Sequence, residues 1–523
     1  MAKSDHYDIA VVGAGPVGLT AALALAQHDL RVILLEAGDG PCSGSRAINI
    51  SRRSQQILAA IGIKQPLLER GLAFHQARSY LGKKEIFHLH MPSTDSDRFP
   101  PFLNLQQFAL EEMLLEAVAG QPLLDLVCHA EAALTAHDES GVALDWKTDT
   151  GPRRITADWC VAADGARSGL RRHLDLQLKG DAYEKTYLIA DIRMKTDLPV
   201  ERRVWFDPAT NPGSTVILHR QPDDILRIDY QLGPEEDPQT ELEEARVLAR
   251  LQAHLDYIGY GKEPWELVWK SLYNARALSL DSYHHGRILF AGDAAHLVPI
   301  FGVRGMNSGI DDAFNLAWKL ARVAKGSAGP ALLDSYTEER RGAFVENIAA
   351  ARLSTFFMSP PGPGTSLMRD AALELACSEP QFRPLINPRQ SSAHCYRSRL
   401  VQPDDRQAGW PEGTQPGWPL PDLPAPQGGS LNDRLGPHLT LIRFAPPETD
   451  APHPDGLPGE TQLITLPADS EAASLCGAGP GDWLLLRPDH HIMARGTART
   501  GGPADIAADC LDLFSHEQEA AAQ

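Results

Sequence analysis

Two glycine-rich clusters and a few acidic residues have the types and spacing for chemistry on a bound ligand. The first cluster is Gly13-Ala14-Gly15-Pro16-Val17-Gly18. It follows the apolar run Ile9 to Val12 and opens an Ala/Leu-rich stretch, Thr20 to Gln27. Gly13 permits a tight turn. Gly15 lets backbone approach a pyrophosphate seated, with Pro16, on a helix N-terminus. Gly18 lets helix and strand pack closely. Glu36 ends the next apolar run, where a carboxylate hydrogen-bonds a ribose. The set is a dinucleotide fingerprint that does not by itself separate FAD from NAD.

The second cluster helps separate them. Ile288 to Ala291 runs into Gly292-Asp293, and a loop leads to Gly305-Met306-Asn307 at the start of an amphipathic helix. Asp293 reads either as a helix-capping acid or as a carboxylate holding the ribitol chain of FAD. The helix would present N–H groups to the flavin N1/O2 edge, where reduced flavin is negative. Arg304 is either a solvated loop residue or a positive charge beside that edge. Asp164, in Ala162-Ala-Asp164-Gly165-Ala-Arg167-Ser168, follows a strand and is chemically unspecific alone. His219, Arg220, Arg227 and Tyr230 lie on an expected hairpin. On period-two strands only some of them face a pocket, and His219 and Tyr230 are taken as the substrate candidates.

The elements that position these groups are those of an α/β protein. Ile9–Val12, a helix and Arg31–Glu36 form a β-α-β unit, hence a parallel sheet. Helices are expected over 53–60, 108–119, 240–257, 310–324 and 331–357. Strands are expected over 215–219, 226–232, 267–272, 439–444, 462–466 and 483–486. Residues 504–514 read as a terminal helix, and 515–523 as an unstructured tail. The expected units are 1–180 (first part of a dinucleotide-binding domain, with 75–105 on the substrate side), 181–280 (an inserted sheet) and 281–401 (its second part). A Pro/Gly-rich linker, 402–429, leads to a terminal domain, 430–523.

Composition sets limits. The chain has 523 residues, a prior of about three domains. Lys+Arg 49 against Asp+Glu 68 gives a net charge of -19, which argues against nucleic acid or membrane as a partner. Seven scattered cysteines without a Cys-x-x-Cys pair read as reduced thiols in the cytoplasm. The His pairs 284–285 and 490–491 lack metal-ligand spacing, so no metal is expected.

Three motifs occur in order: Gly13-x-Gly15-x-x-Gly18, Asp164-Gly165-x-x-Ser168-x-x-Arg171 and Gly292-Asp293-Ala-Ala-His296-x-x-Pro299. They resemble the single-component, FAD-dependent aromatic hydroxylases related to phenol and p-hydroxybenzoate hydroxylases, over roughly residues 5 to 400. Ser45-Arg46-Ala47, Arg53 and Gln107-x-x-Leu110-Glu111 agree. The resemblance implies a glutathione-reductase-like FAD domain with an inserted substrate sheet. It implies that Arg46 and Gln107 contact FAD, that Asp164 touches FAD and the nicotinamide path, and that Pro299 lines the substrate side of the flavin. It also implies the reaction: NADPH or NADH reduces FAD, O2 adds at flavin C4a as a hydroperoxide, and one oxygen passes to a phenolic aromatic ring. Epoxidation, Baeyer-Villiger-type insertion and a flavin-binding protein without oxygenase turnover stay open as alternatives. Pro299 is followed by Ile300 and Val303-Arg304 replaces a common Gly-Gln or Ala-Gln, departures beside the flavin. The C-terminal part resembles a thioredoxin-like tail without its dithiol, serving structure or a homodimer.

Overall fold

The computed structural model describes residues 6–94, 97–148, 151–299, 301–360, 362–386, 390–403, 409–446, 457–497, 502–506 and 510. Its first sheet has eight strands and is built on short apolar runs. In spatial order it runs His284–His285, Ile288–Phe290, Gly151–Ala162, His6–Val12, Val32–Leu35 and Leu124–Val127. Gly141–Thr148 and Ala133–Asp138 branch from Gly151–Ala162. The pairings among the five strands from Ile288–Phe290 to Leu124–Val127 are parallel. Val32–Leu35 and Ile288–Phe290 are buried throughout, as strands covered on both faces must be. The helix Pro16–Ala26 is almost entirely buried. Its small Ala side chains allow close approach by the helices Gln107–Ala119 and Gly305–Ala324.

The second sheet also has eight strands. Its order is His296–Leu297, Glu266–Ser279, Lys179–Arg193, Ile225–Gln231, Thr215–Arg220, Arg202–Phe206, Gln76–Leu81 and Lys84–His90. The helix Glu244–Ile258 covers one face with Val247, Leu251 and Leu255, packed on Leu188, Ala190, Ile192, Val216, Leu218, Leu226, Ile228 and Tyr230. The alternation of strand side chains turns the intervening residues to the opposite face.

A third sheet, in the order Gln462–Pro467, Thr440–Ala445, Trp483–Leu486 and Ile492–Gly496, mixes one parallel and two antiparallel pairings. The Pro/Gly-rich stretch before it is tied down rather than loose. Gly417 N–H donates to Ile492 O and Leu420 N–H to His490 O, and Leu420 and Leu423 are buried. Residues 404–408 lie outside the described residues, as does most of the expected helix 504–514, of which Pro503–Ile506 is described.

Several boundaries differ from expectation for local reasons. The stretch 240–257 is two helices, Pro238–Glu241, whose start Asp237 caps by accepting the Thr240 N–H at 2.7 Å, and Glu244–Ile258. The helix read over 310–324 begins where Gly305-Met306-Asn307 implies and runs Gly305–Ala324. The strand expected over 267–272 extends to Glu266–Ser279, paired along its length with Lys179–Arg193.

Candidate active site

The fingerprint loop has the shape its residue types demand. Gly13 has φ 100°, and a Cβ there would lie 2.4 Å from Ala163 O. A Cβ on Gly18 would meet Gly13 O at 1.8 Å, so both positions require glycine. Gly15 differs: a Cβ there would have no neighbour within 4 Å, and it caps the helix that Pro16 opens. Open space at a helix N-terminus is what a pyrophosphate needs. Glu36 accepts the Ala14 N–H at 2.6 Å and the Gly38 N–H at 2.7 Å, which fixes its carboxylate beside the loop.

The Gly-Asp segment closes on the same place. Gly292, Gly309 and the Val17 side chain crowd together; a Cβ on Gly309 would approach Val17 to 2.5 Å. The Asp293 side chain is open to solvent although Gly292 and Ala294 are buried. The protein mass around that opening still raises its carboxyl pKa, against the pull of His296, Arg46 and Arg171. Asp164 Oδ2 accepts the Gly169 and Leu170 N–H groups at 2.7 and 3.2 Å, while its Oδ1 is buried without a partner among the described residues. Arg171 bridges the two motifs, donating to Ala294 O at 2.9 Å and Ala166 O at 2.6 Å.

The helix Gly305–Ala324 begins beside this opening. Its first recorded capping bond runs from Ser308 N–H to Arg304 O at 2.8 Å, so the N–H groups of Gly305, Met306 and Asn307 precede the hydrogen-bonded turns. The Asn307 side chain is structural: it accepts the Ser51 N–H at 2.9 Å and donates to Asn49 O at 3.0 Å. Arg304 is buried, not a solvated loop residue, and donates to Asn347 Oδ1 at 2.7 Å; burial lowers its pKa to about 10. Pro299 is buried next to Val298, whose carbonyl accepts the Tyr273 hydroxyl at 3.0 Å. That bond joins the loop to the second sheet.

Arg46 is exposed, on a loop held from below. Gln107 N–H donates to Ser45 Oγ at 2.7 Å, its Oε1 accepts the Ala47 N–H at 3.3 Å, and its Nε2 reaches Glu111 at 2.9 Å. Gln107 therefore spends its side chain on the Arg46 loop. Arg227 holds the loop from the sheet side, donating to the Ser45 and Arg46 carbonyls while paired with Asp191 at 2.8 Å.

His219 is buried on the sheet face turned away from the Glu244–Ile258 helix, together with Ile217 and Arg227. Tyr230 corrects the expectation. It lies within the cluster under that helix and its hydroxyl reaches Arg250 O at 3.3 Å, so it faces away from the pocket. Sequence reasoning missed Arg202, Gln221 and Asp229. The signal was present for Asp229: Ile225–Gln231 alternates, with Leu226, Ile228 and Tyr230 on one face and Arg227, Asp229 and Gln231 on the other.

A glycine loop open at Gly15, an unengaged carboxylate at Asp293 and a helix start at Gly305 converge on one opening beside a sheet face. The residues fit FAD, with a free Asp164 oxygen to spare. This fold and site define a two-sheet, FAD-binding protein. The chain belongs to the FAD binding domain family, whose model matches residues 6–351. It is 30% identical over 363 residues to a 3-(3-hydroxy-phenyl)propionate/3-hydroxycinnamic acid hydroxylase of Klebsiella pneumoniae (strain 342), covering 69% of this chain and 64% of the relative. Against the hydroxylase of the same name from Escherichia coli (strain K12) it is 30% identical over 370 residues, covering 71% and 65%. The match thus spans slightly less than two thirds of those relatives. Among solved structures, the flavin-dependent monooxygenase PieE in complex with FAD and substrate superposes with a TM-score of 0.77 at 21% identity, covering 97% of this chain and 99% of that one. Aklavinone-11 hydroxylase with FAD and aklavinone gives 0.76 at 20%, covering 98% and 100%. Among the described residues no helix is long and apolar enough to cross a membrane.

Proposed function

We propose that this protein is an FAD-dependent monooxygenase that hydroxylates a phenolic aromatic compound using NADPH or NADH and O2. The observation that carries the reading is the convergence of Gly15, Asp293 and the Gly305 helix start on one opening against the second sheet. The names of its relatives support it. When bound, FAD supplies hydride acceptance and oxygen activation, the chemistry no side chain provides.

The chain's own residues do the rest. Gly13, Gly15, Pro16 and Gly18 seat the pyrophosphate. Glu36 would hold a ribose, Asp293 the ribitol, and Asp164 and Arg46 would line the rim of the opening. The N–H groups of Gly305, Met306 and Asn307 would stabilise negative charge on a bound flavin, and buried Arg304 would add positive charge at the same helix start. Pro299 walls the substrate side, and the sheet face bearing His219 closes the pocket against water. A reducing, cytoplasmic setting belongs to the same reading and is supported by the lack of disulfides among the described residues.

The test is NADPH consumption by the yellow holoprotein across phenols and phenolic acids, with products read by mass. A compound that stimulates consumption and gains one oxygen atom supports hydroxylation. Consumption unaffected by any aromatic would overturn it.

A further inference from the structure

Arg202 is a buried cation with no ion pair among the described residues; Asp229 acts on it only at longer range. Arg202 is 4% exposed, and its Nε and Nη1 are buried without a partner among the described residues. Of the other deeply buried guanidiniums, Arg227 is paired with Asp191, Arg340 with Asp311 and Asp312, and Arg487 with Glu339 and Asp489, while Arg304 and Arg495 donate to neutral oxygens of Asn347, Thr414 and Cys476. Holding a desolvated charge without a counter-charge is strongly unfavourable, so such a group points to a missing ligand.

Its surroundings share the deficit. Arg202 pairs across the sheet with His219, and His219 with Arg227. These side chains lie on the face away from the Glu244–Ile258 helix. His219 Nδ1 has no partner among the described residues, and burial with two arginines nearby holds the ring neutral, its pKa well below the ordinary value. Gln221, two positions on, has both side-chain polar atoms buried and unpartnered, and Asp229 has Oδ1 in the same state. The next cross-strand row is apolar apart from Asp229, with Val204, Ile217 and Ile189. The row after it holds Phe206 and Tyr187, and Tyr187 meets Phe301 of the flavin loop edge-on at 5.5 Å. Val200, just before Arg202, packs on the same cluster as Val303 of that loop. The face thus has a polar end, an apolar middle and an aromatic end at the flavin loop.

We propose that Arg202 anchors a carboxylate on the aromatic substrate, with His219 and Gln221 completing its hydrogen bonds. The proposal rests on the hydroxylase reading and adds the residue that selects acids. A planar guanidinium fork matches a carboxylate in both charge and geometry. One unanswered positive charge beside Asp229 suits a monoanion; a phosphate dianion would crowd that carboxyl.

The test titrates holoenzyme by flavin absorbance, and assays NADPH oxidation, with 3-(3-hydroxyphenyl)propionate, 3-hydroxycinnamate and 4-hydroxybenzoate, each beside its methyl ester. Wild type is expected to prefer acids. Arg202→Met should weaken acid binding by roughly 50-fold or more and change ester binding less than about threefold, with FAD content unchanged. If Arg202→Met loses FAD, Arg202→Lys, which keeps the charge without the fork, decides by the same acid-to-ester ratio. Equal effects on acid and ester, or none on either, overturn the proposal. Hydroxylation of neutral phenols without acid preference overturns it while leaving the hydroxylase reading intact. Absence of response to every phenol removes both.

Discussion

His296 Nε2 lies 2.6 Å from Asp312 Oδ2, both side chains buried. The same oxygen accepts the Gly292 N–H at 3.0 Å, and Oδ1 takes Arg340 Nε at 2.6 Å. One carboxylate on the Gly305–Ala324 helix thus fixes the loop that carries Asp293. The histidine of the Gly-Asp-Ala-Ala-His motif works by position, pinned behind the ligand opening. Asp312→Ala would strip Arg340 of one of its buried counter-charges, and breaking such a pair from one side costs about 3–5 kcal/mol. FAD occupancy and melting temperature should fall together. A variant with wild-type melting would remove Asp312 from this role.

Asp293→Ala should behave differently. That carboxylate accepts no hydrogen bond from the described residues and is open to solvent. The apoprotein should melt as wild type, while FAD affinity drops by roughly tenfold or more, the loss of charge-assisted hydrogen bonds to a ligand. Equilibrium dialysis with FAD and apoprotein melting separate the two effects. Full FAD occupancy in the variant would sink the ribitol assignment.

The contrast shows what a sequence reveals. Gly13 and Gly18 are legible because their demands are local: a positive φ and backbone approach within a few residues. Asp293 is legible because strand, glycine and acid are contiguous. Arg487 and Glu339 are 148 residues apart, so nothing local marks their bond at 2.5 Å. The state of Arg202 is tertiary too, since only packing shows that no carboxylate among the described residues forms an ion pair with it and that Asp229 acts on it at longer range. Tyr230 is another case: its strand's alternation already places it with Leu226 and Ile228, on the face opposite Arg227 and Asp229.

Asp229 should make acid binding pH-dependent. Burial raises its pKa to about 7, against the pull of Arg227 and Arg202 and with the push of Asp191. His219, on the remaining neighbouring strand, is held neutral. A raised carboxyl is uncharged below its pKa, where Arg202 is left to answer the substrate alone. Above it, the Asp229 anion competes with the substrate carboxylate. Acid affinity is therefore expected to fall from about pH 6 to about pH 9 while ester affinity stays flat, and Asp229→Asn should flatten the acid profile. Flavin-absorbance titrations across that range check this. An acid profile that rises with pH would reverse the assignment.

The C-terminal part is wired into the flavin domain. Arg487 donates to both Glu339 oxygens at 2.5 and 2.9 Å, and Asp489 O accepts Arg53 Nη2 at 2.9 Å. Lys319, whose pKa burial lowers to about 8, also meets Glu339, at 2.7 Å. Cutting the chain after Gln402 would leave Glu339 and Lys319 as an incomplete buried cluster. The truncated chain should melt roughly 10 °C or more below the full chain and hold less FAD. A soluble, fully yellow truncation with unchanged melting would show that the tail serves assembly alone.

Gly13 and Gly15 stand two residues apart, and alanine should separate their jobs. At Gly13 the backbone is left-handed and a methyl would collide with Ala163 O, so Gly13→Ala should fail to fold or melt far below wild type. At Gly15 φ is −72° and a methyl meets nothing within 4 Å, so Gly15→Ala apoprotein should melt as wild type. The space that methyl takes is where a pyrophosphate would approach the helix N-terminus, so FAD affinity should fall by roughly tenfold or more. Fluorescence titration of FAD into Gly15→Ala apoprotein reads this directly. Wild-type affinity there would mean that the phosphates lie elsewhere, and the opening beside Asp293 would need another ligand.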